Sequence, residues 1–430
     1  MSDSKFKAPR GTFDVLGEQA SARAALEARA RSLLEGAGYE RIETPAFEAT
    51  ELFARGVGES TDIVRKEMFS FEDGAGRSLT LRPEGTAPVC RAYVEHGMHK
   101  RRRPVKLWYL SSFFRSERAQ AGRYRQFWQV GAEALGSDDP AVDAESITLL
   151  SNLLGAMEVG AIRLRLSSLG SPETRSDYRE QLQAHLRANE GSLSEDVRDR
   201  IELNPLRAFD SDHPGTRAVM ETAPRLLDHL SDEDAAHFAE VRELLDVAGV
   251  AYEVDSTLVR GLDYYTRTIF EFSSDALGAQ SGVGGGGRYD RLVERLGGPP
   301  TPGMGWAAGI ERILLAGEAS GVAPAVAGGG DPATRGPVEL FVALDDPQSA
   351  ARRGAFALVS EARSAGLTAQ MDLGERSLKG QLGYANALGA RFVAIVGDEQ
   401  TVLRDMQAGE QQPLDSDSVV HAVLRGLHDL

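Results

Sequence analysis

Arg123-Tyr124-Arg125-Gln126-Phe127-Trp128-Gln129-Val130-Gly131-Ala132-Glu133 is the stretch on which the fold turns. Read as a strand, it puts Phe127, Gln129, Gly131 and Glu133 on one face. A face meant only for core does not carry a glutamine and a glutamate together, because each unpaired polar group there costs free energy. The face therefore reads as the wall of a polar ligand pocket. Upstream, residues 105–114 form a second apolar strand that runs into Arg115. The polar, Arg-rich stretch between the two (Arg115, Glu117, Arg118, Gln120, Arg123) makes them a long antiparallel hairpin. Arg115 and Arg123 can fork onto phosphate oxygens, and Phe127 offers a flat face to a base.

Three further clusters carry chemistry. Arg82-Pro83-Glu84-Gly85-Thr86 places a carboxylate and a hydroxyl in a turn that can receive an ammonium group, although its spacing alone favours a plain capped strand-to-helix turn. Residues 259–271 contain Arg260-Gly261-Leu262-Asp263-Tyr264-Tyr265 and end on Glu271. The run Gly282-Val283-Gly284-Gly285-Gly286-Gly287-Arg288-Tyr289-Asp290 lacks a following Lys-Ser or Lys-Thr, which excludes a Walker loop. Close approach of backbone to a ligand or a neighbouring strand accounts for it better. Gly309-Ile310-Glu311-Arg312 puts an arginine on the first turn of a helix.

Composition narrows the classes. The chain has 430 residues, 42% hydrophobic and 26% charged, as in ordinary globular proteins. It has no apolar run of the roughly 18 residues that reads as a membrane span, and its polar start lacks a signal-peptide core. The single cysteine, Cys90, excludes an internal disulfide or a cysteine-rich zinc site and fits a reducing cytosol. A net charge of −16 argues against non-specific nucleic-acid binding. It permits a specific RNA partner on a local basic surface, and the basic segment from Lys100 to Arg125 reads equally as such a surface or as a solvated charged face.

The pattern along the chain predicts an α+β core joined to an α/β unit. Residues 1–170 form a first core segment, with a helix over 21–35 whose apolar face carries Leu26, Ala30, Leu33 and Leu34, then a strand over 39–47. Residues 171–250 read as a helical insertion and 251–320 as the second core segment. Residues 321–337 read as a Gly/Ala/Pro linker, and 338–430 as strand–helix alternation with a largely parallel sheet.

The ordered set resembles the class II aminoacyl-tRNA synthetases, and within them the histidyl branch. Residues 38–45 are similar to motif 1, 114–133 to motif 2 and 309–312 to motif 3; 260–265 and 282–290 are similar to the two histidine-specific signatures. The resemblance implies an antiparallel-sheet catalytic core of six or seven strands, a helical insertion against the acceptor stem, a C-terminal anticodon-binding domain and a cytoplasmic homodimer. It implies L-histidine, ATP with Mg2+, and tRNA(His) as partners, with no membrane and no metal held by protein side chains alone. Arg260 and Arg115 would be catalytic. Glu84, Gly85, Thr86, Arg115, Gln129, Glu133, Arg260, Tyr264 and Tyr265 would bind histidine. Arg115, Glu117, Arg123, Tyr124, Phe127 and Arg312 would bind ATP, and Arg118 and Gln120 the acceptor end.

Two departures stand out. The family often has His where this chain has Trp128, and Pro and Lys where it has Ala119 and Ala121. Two rival classes share the core: a synthetase of other specificity, and the non-catalytic synthetase-like regulatory subunit of ATP phosphoribosyltransferase. The Arg-Gly-Leu-Asp-Tyr-Tyr stretch argues against the first. The presence of Arg115, Arg260, Arg312 and the segment after 337 argues against the second.

Overall fold

The computed structural model describes residues 6–58, 61–118, 122–319, 338–345, 351–374, 376–398 and 400–428. The expected linker and the loop residues Ala119, Gln120 and Ala121 lie outside them. The core is one sheet whose strands lie in the order Glu40–Arg41, Val105–Phe114, Gln126–Leu135, Gly303–Gly309, Gly282–Arg288, Thr266–Ser274, Ile162–Ser168 and Glu253–Val254. The six central strands pair antiparallel; the two-residue strands at either edge pair parallel.

The glycine run is a central strand of this sheet, and its backbone needs the missing side chains. A Cβ at Gly286 would fall 2.0 Å from the Gly305 carbonyl oxygen, and one at Gly287 would fall 2.6 Å from that of Thr268. The strand expected over 39–47 is divided instead. Glu40–Arg41 joins the main sheet and Phe47–Ala49 joins a small three-stranded sheet. Between them the backbone carbonyls of Thr44 and Pro45 accept from the Arg82 guanidinium, and Pro45 has no N–H to give a ladder.

Helices Gly17–Gly36, Pro140–Ala156 and Asp232–Val247 cover one face of the sheet with Leu26, Leu34, Leu150, Leu153, Val241 and Leu244 wholly buried. Two expectations change here. Of the apolar face read on the first helix and the strand after it, Leu26, Leu34 and Tyr39 do not stand bare but are buried within the chain, while Leu33 and Ile42 stay partly exposed. Residues 171–250 do not behave as one insert either, because the helix Asp232–Val247 packs on Pro140–Ala156 of the core. The helices Pro172–Ala188 and Pro214–Glu221 belong to a second cluster with Leu182, Leu186, Ile201 and Met220.

After residue 337 a five-stranded sheet is built in the order Ala369–Met371, Leu340–Leu344, Phe392–Val396, Thr401–Asp405 and Gln411–Leu414. Its first three strands are parallel and its last two antiparallel, so the sheet is mixed rather than largely parallel. It is fastened to the core by a buried ion cluster. Glu145 takes Lys106 at 2.7 Å and Arg363 of the C-terminal unit at 2.9 Å.

A second buried ion cluster closes the core. Arg288, with no exposed side chain, donates to Asp143 at 2.5 Å and to the carbonyl oxygens of Ser137 and Asp139, while His237 meets Asp143 at 2.8 Å. Asp143→Ala would strand a cation in the interior. It is expected to cost about 3–5 kcal/mol of stability, read as a lower urea midpoint of the core, whereas an exposed control such as Arg163→Ala should leave the midpoint unchanged.

Candidate active site

The hairpin register places the predicted site. Phe127 pairs with Phe113, Gln129 with Ser111, Gly131 with Tyr109 and Glu133 with Leu107. On its other side Glu133 stands opposite Gly305, where a Cβ would fall 1.7 Å from the carboxylate. Gly131 and Gly85 do the same for Tyr109: a Cβ at either would fall 2.4–2.5 Å from its ring. Three glycines thus leave the room into which one glutamate and one tyrosine fit.

Glu133 is fully buried. Its Oε1 accepts from the Thr86 hydroxyl at 2.8 Å and the Tyr109 hydroxyl at 3.4 Å; its Oε2 accepts from the Tyr289 hydroxyl at 2.5 Å. Burial pushes its pKa up to about 8, against the pull of the Tyr289 and Thr86 hydrogen bonds. The donors are neutral hydroxyls, which soften desolvation without cancelling the charge. Tyr109 and Tyr289 were missed as site residues. The period-two glycine between Gln129 and Glu133 was the available signal that a large neighbour occupies that face.

Glu84 is also buried and its pKa raised by burial. Its two oxygens accept the backbone N–H groups of Thr86 and Ala87 at 2.8 and 2.9 Å, so it caps the helix Thr86–Glu95. The Tyr264 hydroxyl reaches it at 3.4 Å. Tyr264 packs edge-on against both Tyr265 and Tyr289, with centroids 4.8 and 5.8 Å apart.

Farther along the same strand, at Phe127 and Gln129, opens a cavity of about 760 Å³ whose lining does not include Glu84, Gly85, Thr86, Glu133, Tyr264 or Tyr265. Its lining includes Arg115, Glu117, Arg123, Tyr124, Phe127, Gln129, Arg260 and Arg312. Arg115 is held by the Pro83 carbonyl at 2.9 Å and lies over the Phe127 ring at 5.3 Å. Arg260 donates to Glu271 at 2.5 Å, and Gly285 leaves space for its guanidinium. Arg123 reaches Glu117 at 3.5 Å. Arg118 is exposed at the loop base, and Gln120 lies outside the described residues. Asp62, Arg207 and Asp210, which the sequence did not single out, complete the wall: Arg207 of the inserted helices pairs with Asp62 of the core at 3.2 Å. Among the described residues no three carboxylates, histidines or cysteines are grouped to hold a metal. Among the described residues no helix is long and apolar enough to cross a membrane.

One strand thus carries a cation-lined cavity with an aromatic wall at Phe127 and Gln129 and a buried carboxyl cluster at Glu133. A family model described as histidyl-tRNA synthetase matches residues 11–313. The chain belongs to the histidyl-tRNA synthetase family. A second model, described as an anticodon binding domain, matches residues 341–425. Among histidine–tRNA ligases, that of Desulforamulus reducens is 47% identical over 409 residues, covering 94% of this chain and 95% of its own. That of Streptomyces avermitilis is 46% identical over 423 residues, covering 97% and 98%. Apo S. aureus histidyl-tRNA synthetase superposes with a TM-score of 0.62 at 34% identity, over 97% of this chain and 100% of that one. For a histidyl-tRNA synthetase, the eight-stranded order found here places the motif 2 and motif 3 strands side by side, Gln129 against Gly309.

The Glu133 environment gives a pH test. Its carboxyl titrates from 4.5 in the unfolded chain and from about 8 in the folded one. Between those values the folded state holds a proton that the unfolded state lacks, so stability falls as pH rises through this window. Glu133→Gln removes that slope. Its melting temperature is expected to match the parent chain near pH 5 and to exceed it at pH 8.5. Parallel curves over the whole range would refute the assignment.

Proposed function

We infer that this chain activates L-histidine with ATP and transfers it to the 3′ end of tRNA(His). The observation that carries the reading is an arginine-lined cavity at Phe127 and Gln129 on the strand that farther along holds the buried Glu133 cluster, in a chain related along its length to histidine–tRNA ligases. In the site we propose, Glu133 and Tyr265 take the imidazole N–H groups and Tyr264 walls the pocket. Glu84, Gly85, Thr86 and Gln129 surround the α-ammonium, and Arg115 and Arg260 face the carboxylate. Phe127 stacks on adenine beside Tyr124, with Glu117 near the base. Arg115, Arg123 and Arg312 hold the phosphates.

A carboxylate oxygen of histidine then attacks the α-phosphorus, the bond to pyrophosphate breaks, and histidyl-adenylate forms. Arg260 and Arg115 act as fixed cations where charge develops, so no reorganisation is needed at the moment of reaction. In the second step a terminal ribose hydroxyl of the RNA attacks the carbonyl and AMP leaves. Mg2+ would accompany ATP. The carboxylates of Glu117 and Glu271 on the cavity wall fit the one or two protein oxygens such an ion takes beside phosphates, and it would screen the phosphate charge. Arg118 and Gln120 are proposed contacts of the acceptor end, with the unit after residue 337 on the anticodon. A cytoplasmic homodimer completes the proposal. Phe47 and Phe71, 49% and 44% exposed and paired at 6.1 Å, support a second copy over that face. The regulatory-subunit reading is disfavoured because Arg115, Arg260 and Arg312 all line the one cavity.

ATP–pyrophosphate exchange with each of the twenty amino acids is expected to be dependent on histidine alone. Glu133→Ala should raise the KM for histidine at least about 100-fold, since a site built to hydrogen-bond its substrate rejects poor partners strongly, and should leave the KM for ATP nearly unchanged. Equal rises in both would remove Glu133 from the histidine site. Arg260→Ala should lower kcat by about two to three orders of magnitude with little change in histidine affinity. Collapse of affinity at a preserved kcat would make Arg260 a substrate anchor.

A further inference from the structure

The return strand of the hairpin has a back as well as a ligand face. Phe127 and Gln129 line the cavity, while Gln126 and Trp128 are out of phase with them. That back packs into the core at Val130, with Trp128 half-buried against the same cluster. Behind Tyr124 lies a second cavity of about 660 Å³, lined among others by Phe13, Ala22, Arg23, Tyr124, Glu311 and Leu314.

What touches the strand there is the N-terminal segment, at three successive places. The Gly11 carbonyl accepts the N–H groups of Arg125 at 2.8 Å and Gln126 at 3.4 Å, one rung beyond the Arg115 to Arg125 bond that ends the hairpin. Gly11 has φ +86°, and a Cβ on it would fall 2.7 Å from the Arg125 side chain. Phe13 lies 4.5 Å from Tyr124, centroid to centroid. Arg23 lies over the Trp128 ring at 4.3 Å and pairs with Glu311, whose other oxygen accepts the Trp128 N–H at 3.1 Å. Glu311 directly precedes Arg312 of the cavity wall. Trp128, which the sequence left without a role, is thus the surface on which Arg23 rests.

We propose that residues 11–23 brace the outer side of the ATP cavity, with Phe13 and Arg23 as positioning residues that fix Phe127, Tyr124 and Arg312 from behind. This rests on reading that cavity as the ATP site. The brace acts on one end of the strand only. Glu133 stands six residues beyond Phe127, about 20 Å along an extended chain, and is held by Thr86, Tyr109 and Tyr289 instead. The brace therefore sets ATP affinity and not histidine affinity.

The test is pyrophosphate exchange on the full chain. The parent chain is assayed first with histidine; if it shows no histidine-dependent exchange, the ATP-site reading fails and the brace falls with it. Given exchange, Phe13→Ala should raise the KM for ATP about 5–10-fold, the size expected of a lost aromatic pair, with the KM for histidine changed less than about 2-fold. Phe13→Tyr should restore the ATP value. Arg23→Ala should shift the same parameter in the same direction, and Arg23→Lys should shift it less. An unchanged ATP KM in Phe13→Ala with exchange intact would overturn the brace. So would equal rises for both substrates, or a lowered melting temperature with no KM split, each of which marks a merely structural contact.

Discussion

Burying Glu133 without a cation beside it is the constraint around which the catalytic core is arranged. A carboxyl taken out of water must be hydrogen-bonded or stay protonated, and here both are used. Three hydroxyls reach it, from the first residue of helix Thr86–Glu95, from the neighbouring strand and from the residue just after the glycine strand. Each donor needs space that ordinary side chains would fill, so Gly85, Gly131 and Gly305 are set by the same requirement. In the proposed histidine site, selectivity would follow from that cost. An N–H donor that fits regains the free energy lost by desolvation, and a side chain without one does not.

The core contrasts this carboxyl with others equally buried. Asp143 is held well below the usual carboxylate range because the Arg288 guanidinium and His237 more than offset its desolvation. Glu145 is lowered in the same way by Lys106 and Arg363. Those two are spent on structure, one closing the core and the other fastening the C-terminal unit to it. Glu133 is left with neutral partners, and a buried group whose pKa is so raised is a candidate functional residue. The Glu145 cluster also fixes the C-terminal sheet against the strand Val105–Phe114, which continues into the motif 2 hairpin. The ends of the RNA that the two units are proposed to read would thereby be referred to one rigid frame.

Much of this was legible in the residue pattern. Period-two spacing gave the face of Phe127, Gln129 and Glu133, and the absent Lys-Ser or Lys-Thr pair left close backbone approach to a ligand or a neighbouring strand, of which the structure shows the neighbouring strands. Three things were not legible. The Tyr109 and Tyr289 hydroxyls look apolar in a strand pattern until their partner across the sheet is known. The first helix reads as an exposed apolar face because its cover, the helix Pro140–Ala156, arrives more than a hundred residues later. The helix Asp232–Val247 has the same spacing as the inserted helices before it, and only tertiary packing assigns it to the core. Local pattern fixes element type; which elements share a core depends on contacts distant in sequence.

The central claim is that the empty site holds Glu133 protonated at neutral pH and that a bound imidazole draws the proton away. Carbon-13 labelling of glutamate side chains, with Glu133→Gln to assign the signal, follows that carboxyl directly through a pH titration. The account predicts a midpoint near 8 in the free protein, moving down on addition of histidine. A midpoint in the ordinary carboxylate range in the free protein, or one that histidine leaves in place, would contradict it.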